Sequence, residues 1–444
     1  MPDGHVLVVG TTPDYVALIR ERYPQRVIFL TDVSQYAGNT GYRPGDTDEI
    51  LCELSDKEAV FPTLKDYLEK QNLGLSGVAG YDCEWLALAA EIAKVYALPF
   101  PSEESVRLSR DKYLTKQRWT ERGVRCPRIK LVRSEGQAIR FIEKLGRPVV
   151  LKPLTGSGSE LTFRCDNASE IAPLLHTISK GLVQKSESPL YREGVTEVEE
   201  GDDRLAILAE EFIEGTEYSA DFIVEDNRVT IIRTARKIRD PQLPFGTAAA
   251  YVVPATLPEG LGSDLFSRRL GEAARALGLT RAICMVDLMI TGSEIVFLEL
   301  TPRIGGDCLP PLVRQCCGLD TIGLALDFAE NRAWSVPASE QWQRLVGLRL
   351  LAAHKGVVSR FKTTGLSDDG RVREVYVKRS PGHRIELPPR DYDSWVLGHV
   401  IFAPRPNLGI EEQCEALRQK FVVELERKDG TELPRVHNAS RGTS

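Results

Sequence analysis

No stretch of the 444 residues comes near the ~20 consecutive apolar residues of a membrane-crossing helix. The opening Met1-Pro2-Asp3-Gly4-His5 has no cationic region, and the apolar run 6–9 behind it is too short for a secretion signal. A cytoplasmic protein without a membrane partner is therefore expected. Its nine cysteines, Cys52, Cys83, Cys126, Cys165, Cys284, Cys308, Cys316, Cys317 and Cys414, form neither a CxxC spacing nor a Cys/His cluster. That argues against a zinc site and a disulfide framework, and an odd count fits reduced thiols. None of the six histidines stands in a recurring pattern, so nothing suggests a Ser/His/Asp or Cys/His nucleophile. Lys+Arg 57 against Asp+Glu 63 gives a net charge of −6 with no basic stripe, so nucleic acid is not an expected partner. No internal repeat is evident.

What is present is a soluble globular composition, 42% hydrophobic and 27% charged, long enough for roughly two to four domains. Residues 5–9, 27–30 and 75–79 read as strands, and 13–22 and 84–96 as helices. Such alternation predicts a parallel, doubly wound unit. Its first turn, Gly10-Thr11-Thr12-Pro13, lies where ligands often sit in such sheets, but without G-x-G-x-x-G it reads as scaffold. A helix-like stretch starts at Ser105, and a short strand at 148–152 leads into a Gly/Ser loop. The acidic stretch 185–204 reads as an exposed insertion. Strands resume at 206–213 and 218–224, helices at 263–277, 321–331 and 410–420, and the tail 427–444 is polar and expected to fray.

Chemistry concentrates in Val286-Asp287-Leu288-Met289-Ile290 and Ile295-Val296-Phe297-Leu298-Glu299-Leu300-Thr301, two apolar strands joined by the turn Thr291-Gly292-Ser293-Glu294. A carboxylate inside such a strand is costly to bury unless a cation meets it. Two of them on paired strands suit Mg²⁺, which takes carboxylates together with phosphate oxygens. The alternative is a hairpin whose edge acids face solvent. Arg303 follows, with the planar fork that matches phosphate. Lys152 ends a strand beside Thr155-Gly156-Ser157-Gly158-Ser159, whose backbone N–H groups could cradle phosphate oxygens; the alternative is an ordinary turn after a strand. The loop is not a Walker A sequence. Arg233-Thr234-Ala235-Arg236-Lys237-Ile238 is a basic strand in which Arg236 is the candidate to meet a carboxylate substrate, or else belongs to a solvated face.

Glu299-Leu300-Thr301-Pro302-Arg303-Ile304-Gly305-Gly306 resembles the "E-x-N-P-R-x-G-G" segment of ATP-grasp enzymes, with Thr301 where that family usually has Asn. Glu210-Glu211-Phe212-Ile213-Glu214-Gly215-Thr216-Glu217 is similar to its "E-x-[FYW]-[IL]-x-G-x-E" segment. Lys112, ahead of Gly123-Val124-Arg125-Cys126-Pro127, matches its first phosphate-side lysine. These segments, with Lys152, its loop and Asp287, occur in the family order.

The resemblance implies an α/β (α+β grasp) chain. Its parts would be a Rossmann-like pre-ATP-grasp unit at 1–105, an ATP-grasp domain at 106–335 and a small mixed C-terminal domain at 336–426. The grasp domain would divide at about 106–145, 146–215 and 216–335. The same likeness implies ATP as cofactor with Mg²⁺, or Mn²⁺ in its place. Metal ligands would be Asp287, Glu299 and Thr301. Lys112, Lys152 and the loop Thr155–Ser159 would meet phosphates. Glu210, Glu211, Phe212 and Ile213 would lie along the adenine segment, with Phe212 packed into the core, and Glu217 on ribose. Lys152, Arg303 and Glu299 would be catalytic. Arg303, Gly305 and Gly306 would face substrate, as would Arg236 of the basic strand. Asp307, where the family often has a small residue, would tune substrate choice by meeting an amino group.

The implied reaction is transfer of the γ-phosphoryl group to a carboxylate, then attack by an amine on the acyl phosphate, with amino acids as the expected small-molecule substrates. A loose likeness of 345–426 to the extra domain of L-amino-acid ligases points the same way and leaves a homodimer open. Two alternatives remain: activation of bicarbonate, and an ATP-binding regulatory module without turnover.

Overall fold

The computed structural model describes residues 4–36, 48–191 and 206–426, so the tail 427–444 and most of the acidic stretch 185–204 lie outside the described residues. The expected mixed α/β class is observed. At the N-terminus, four parallel strands lie in the order Glu49–Cys52, Val27–Asp32, Gly4–Val9, Gly74–Ala79. Apolar residues fill both faces of the inner strands, as a covered parallel sheet requires. Helix Lys57–Gln71, started by the Asp56 carboxylate accepting from the Ala59 N–H, and helix Leu86–Val95 cover one face. Helices Pro13–Arg22 and Thr321–Ala329 cover the other, where Val6, Val8 and Phe29 meet Ile322 and Leu326.

The central element is an eight-stranded antiparallel sheet. Its order is Glu294–Thr301, Ala282–Thr291, Thr216–Glu225, Arg228–Arg239, Ala248–Val253, Leu345–Leu351, Val396–Phe402, Val372–Val377. Side chains alternate between its faces. One face sends Ala220, Phe222, Val286 and Leu288 into a core closed by helices Lys112–Glu121 and Ser263–Ala276, where the indole N–H of buried Trp119 donates to the Ala273 carbonyl at 2.9 Å. The opposite face is apolar at one end, where Ile223 and Ile283 pack toward the N-terminal unit, and polar at the other.

A separate four-stranded antiparallel sheet, in the order Ile129–Val132, Ile207–Glu211, Val149–Lys152, Phe163–Cys165, is covered by helices Glu135–Leu145 and Ile171–Gln184. The expected cut between 145 and 146 thus falls inside one sheet. Ile129–Val132 pairs with Ile207–Glu211, whereas the helix Lys112–Glu121 ahead of it packs on the central sheet. The C-terminal region is continuous with the central sheet. Leu345–Leu351, Val396–Phe402 and Val372–Val377 extend the central sheet, because Leu345–Leu351 pairs with Ala248–Val253. Only Gly356–Lys362, Arg384–Ile385 and Val422–Leu425 form a small sheet apart. No helix among the described residues is long and apolar enough to cross a membrane.

Candidate functional site

Between the polar end of the central sheet and the four-stranded sheet lies a cavity of about 770 Å³. Its floor is set by strand register. Asp287 and Glu299 are direct partners across the antiparallel pair, and Asp287 is also the partner of Ser219 on the next strand. Alternation puts Glu217, Lys237, Asp287 and Glu299 on this one face. The Lys237 ammonium lies 2.8 Å from the Asp287 carboxylate and 3.0 Å from that of Glu217, whose other oxygen accepts from the Arg239 Nε at 2.7 Å. Burial pushes the Asp287 carboxyl up, against the pull of Lys237 and with the help of Glu299 and Glu217. Burial would raise Glu299 too, but Lys112, Lys152, Lys237 and Lys116 hold it below the usual carboxylate range.

The opposite wall belongs to the small sheet. Glu210 and Lys152 stand on adjacent strands, 2.9 Å apart, and Lys116 reaches the same carboxylate at 2.6 Å while donating to the Leu298 carbonyl at 2.7 Å. The Asp111 carboxylate caps the helix at Lys112 by accepting from the Tyr113 and Leu114 N–H groups. The Lys112 ammonium then donates to the Gly156 carbonyl at 2.9 Å and lies 3.7 Å from Glu299. Gly156, at φ +111°, lies where a Cβ would come within 2.9 Å of Tyr191, so only glycine fits the turn. The Ser159 hydroxyl donates to the Gly246 carbonyl at 3.0 Å and ties the loop to the central sheet's side of the cavity. One ion-paired cluster sets five cations, Lys112, Lys152 and Arg239 in the lining with Lys116 and Lys237 behind it, against four carboxylates, Glu210, Glu217, Asp287 and Glu299, an excess of one positive charge that suits an anionic ligand. Glu160 and Glu211, also in the lining, are paired with Lys185 and with Arg128 and Arg147. The other end of the cavity is apolar: Val150, Phe212, Ile213, Phe245 and Met289 line it, with Phe212 and Phe245 6.1 Å apart and Arg164 4.3 Å over the Phe212 ring. A planar base fits that end and a phosphate chain the cationic one.

Several residues singled out in the sequence lie elsewhere or make other contacts. Phe212 stands in the cavity wall rather than in the core, since it caps the sheet edge beside Arg164. Glu210 lines the cavity, and its carboxylate is clasped by two lysines. Glu211 turns its carboxylate to Arg128 and Arg147, at 3.0 and 2.9 Å. Arg236 projects from the other face of its strand toward Glu411 at 3.9 Å, one residue out of phase with Lys237. Thr301 shares a face with Glu299, yet neither it nor Gly158 is among the residues lining the cavity. Asp307 is already paired with Arg349 at 2.6 Å.

Arg303, Gly305 and Gly306 lie beyond the cavity lining, and Arg303 reaches the N-terminal unit. The Arg303 Nε donates to the Cys83 sulfur at 3.1 Å, and its charge, opposed by burial, is favoured by Cys83, Asp82 and Tyr15. Asp82 accepts from the Thr11 hydroxyl at 2.9 Å. Thr11 and Asp82 follow Gly4–Val9 and Gly74–Ala79, the two strands between which the parallel order reverses, and that crevice is where such sheets take ligands. The first turn thus lies at that crevice, where Thr11 holds Asp82. Gly305 donates its N–H to Asp221 at 3.1 Å, beneath the buried Asp221–Arg233 pair.

Sequence reasoning missed Lys116, Lys237, Arg239, Phe245, Asp82 and Cys83. The i, i+4 spacing of Lys112 and Lys116 was a usable signal, and so was strand alternation from Arg233 to Lys237.

A family model for the ATP-grasp domain matches residues 145–311, the span that holds Lys152, Glu210, Glu217, Asp287 and Glu299. The chain carries an ATP-grasp domain. Its whole fold is similar to the crystal structure of L-amino acid ligase from Bacillus licheniformis, with a TM-score of 0.76 over 96% of this chain and 100% of that one at 17% identity. In sequence the chain is 24% identical to human carnosine synthase 1 over 363 residues, 77% of this chain and 41% of that protein. It is 26% identical to D-alanine–D-alanine ligase of Aromatoleum aromaticum over 230 residues, 50% of this chain and 66% of that protein. The chain thus spans about half the length of the curated relatives it matches. Within the ATP-grasp domain the donor set fits Mg²⁺. Asp287 and Glu299 offer two opposed carboxylates, and no cluster of three or more His, Cys, Asp or Glu suited to a metal occurs among the described residues. Two carboxylates completed by phosphate oxygens and water are what Mg²⁺ takes, rather than a dedicated protein cage.

Proposed function

We propose that the protein is an ATP-dependent carboxylate–amine ligase that forms an amide through an acyl phosphate and releases ADP and phosphate. The observation that carries this reading is the register pairing of Asp287 with Glu299, facing Lys112 and the Gly156 loop across one cavity. The base would lie between Phe212, Phe245 and Met289, with its triphosphate running toward the lysines. Mg²⁺, held by Asp287 and Glu299, would offset charge on the β- and γ-phosphates. Lys112 and Lys152 would hold the same phosphates, and fixed charges of this kind carry most of the catalysis in phosphoryl transfer. The loop Thr155–Ser159, fastened through Ser159 to Gly246, would exclude water from the acyl phosphate.

The carboxylate substrate would lie between the phosphate end and Arg303. Its oxygen attacks the γ-phosphorus and ADP leaves. The amine nitrogen then attacks the acyl carbon, loses a proton, and phosphate leaves. Amino acids as both partners are supported by the proteins the chain is similar to, two of which are named as an L-amino acid ligase and a D-alanine–D-alanine ligase.

The test is phosphate release from ATP across a panel of amino-acid pairs, with products identified by mass spectrometry and bicarbonate as a separate arm. Release that requires an amino-acid pair and yields a condensed product is expected. Release with bicarbonate alone, or nucleotide binding without release under any pair, overturns the reading.

A further inference from the structure

We infer that Lys237 contests Asp287 with the divalent ion, and so makes ion binding depend on the nucleotide. The inference rests on the reading above, in which Asp287 and Glu299 are the ion's protein ligands. Register fixes Lys237 in place. Arg236 is the partner of Tyr218, which sets Lys237 beside Glu217, and Ser219 is the partner of Asp287 on the strand beyond. The ammonium is 2.8 Å from Asp287 and 3.0 Å from Glu217, and its side chain is only 11% exposed. Tyr251, its partner on the next strand, stands on its other side. Lys237 therefore has little water to retreat into.

One carboxylate cannot serve an ammonium and a divalent ion at full strength. Two cations at that spacing repel, and in a buried site the repulsion is weakly screened. An ion arriving alone meets a cluster that already carries an excess of positive charge. A nucleotide changes the contest. Its phosphates, entering beside Asp287 and Glu217, would draw toward them the Lys237 ammonium that lies just behind the lining, and so free the Asp287 carboxylate for the ion. Ion and nucleotide are then coupled, and each must strengthen the other by the same factor. Arg239 is not an equal competitor, because it holds Glu217 and not Asp287.

The experiment is Mn²⁺ binding to the full chain, read from the electron paramagnetic resonance signal of the free ion, with and without a non-hydrolysable ATP analogue. Wild type is compared with Lys237→Met, Lys237→Gln and Lys237→Arg, the two neutral variants guarding against a folding failure in either. Without nucleotide, both neutral variants are expected to bind Mn²⁺ about tenfold more tightly than wild type, and Lys237→Arg within about threefold of it. The gain brought by the analogue should shrink in the neutral pair. Unchanged or weaker Mn²⁺ binding in both neutral variants overturns the inference and leaves the metal reading standing. If wild type binds no Mn²⁺ even with the analogue, the two-carboxylate reading falls and the inference falls with it.

Discussion

Asp287 and Glu299 sit directly opposite each other on paired strands, and their surroundings drive them in opposite directions. Glu299 faces Lys112 at 3.7 Å and is held ionised, while Asp287 is pressed upward by burial and by two neighbouring carboxylates. A divalent ion between them would relieve that pressure, because it favours the ionised form of both.

Neutralising either acid should therefore remove ion-dependent chemistry. Asp287→Asn and Glu299→Gln are each expected to lower phosphate release by on the order of 10²–10³ at saturating Mg²⁺, with the fold retained by circular dichroism. Near-wild-type release in either variant would count decisively against the site.

Gly305 and Gly306 are adjacent but should behave differently. A Cβ on Gly305 would lie 2.5 Å from the Arg233 Nη2 and 3.1 Å from an Asp221 oxygen, both fully buried and paired at 2.8 Å. One on Gly306 meets only the Arg303 Nη1, at 3.8 Å. Gly305→Ala should cost about 3 kcal/mol of unfolding free energy by prising apart a buried ion pair. Gly306→Ala should leave the denaturation midpoint near wild type. Equal midpoints in urea for the two variants would contradict this.

The two lysines on Glu210 divide stability from function. Lys116 is fully buried and also donates to the Leu298 carbonyl, whereas Lys152 lies in the cavity lining. Lys116→Met is expected to cost about 3–5 kcal/mol, since it strips a buried carboxylate of one partner. Lys152→Met should instead act mainly on turnover and the KM for ATP. The check is urea unfolding beside steady-state kinetics, and a reversed ranking would refute the division.

The legible parts of this chain were those in which short-range pattern and final environment agree. The apolar runs in Gly4–Val9 and Val27–Asp32 became buried parallel strands, and carboxylates placed inside apolar strands marked the cavity floor. Alternation separates Arg236 from Lys237 and puts Lys237 on the face of Arg233, but which of the two faces meets the cavity is decided by the pairing with Thr216–Glu225, and that the sequence does not mark. The lobe boundary was hidden for another reason. Ile129–Val132 finds its partner in Ile207–Glu211, across a separation at which local periodicity carries no information. Cys83 and Asp82 gained meaning only when folding brought Arg303 to them.

Glu84, in the loop that carries Asp82 and Cys83, offers a test of that crevice through pH. Burial first, then the Asp82 carboxylate, with Asp32 and Glu160 further off, push its carboxyl up to about 7, and Arg110 opposes them. An unfolded glutamate titrates near ~4.3, so the folded protein holds this proton more tightly than the unfolded chain does. Its stabilising effect is then fully present below about pH 4.3 and is lost as pH rises through about 7. Glu84→Gln keeps the neutral form at every pH. The variant should match wild type near pH 4 and exceed it at pH 8 by about 1–3 kcal/mol, a shift of a few degrees in Tm. Thermal unfolding of both proteins at the two pH values decides it: a difference that does not change with pH would mean that Glu84 is already ionised and paired across the crevice.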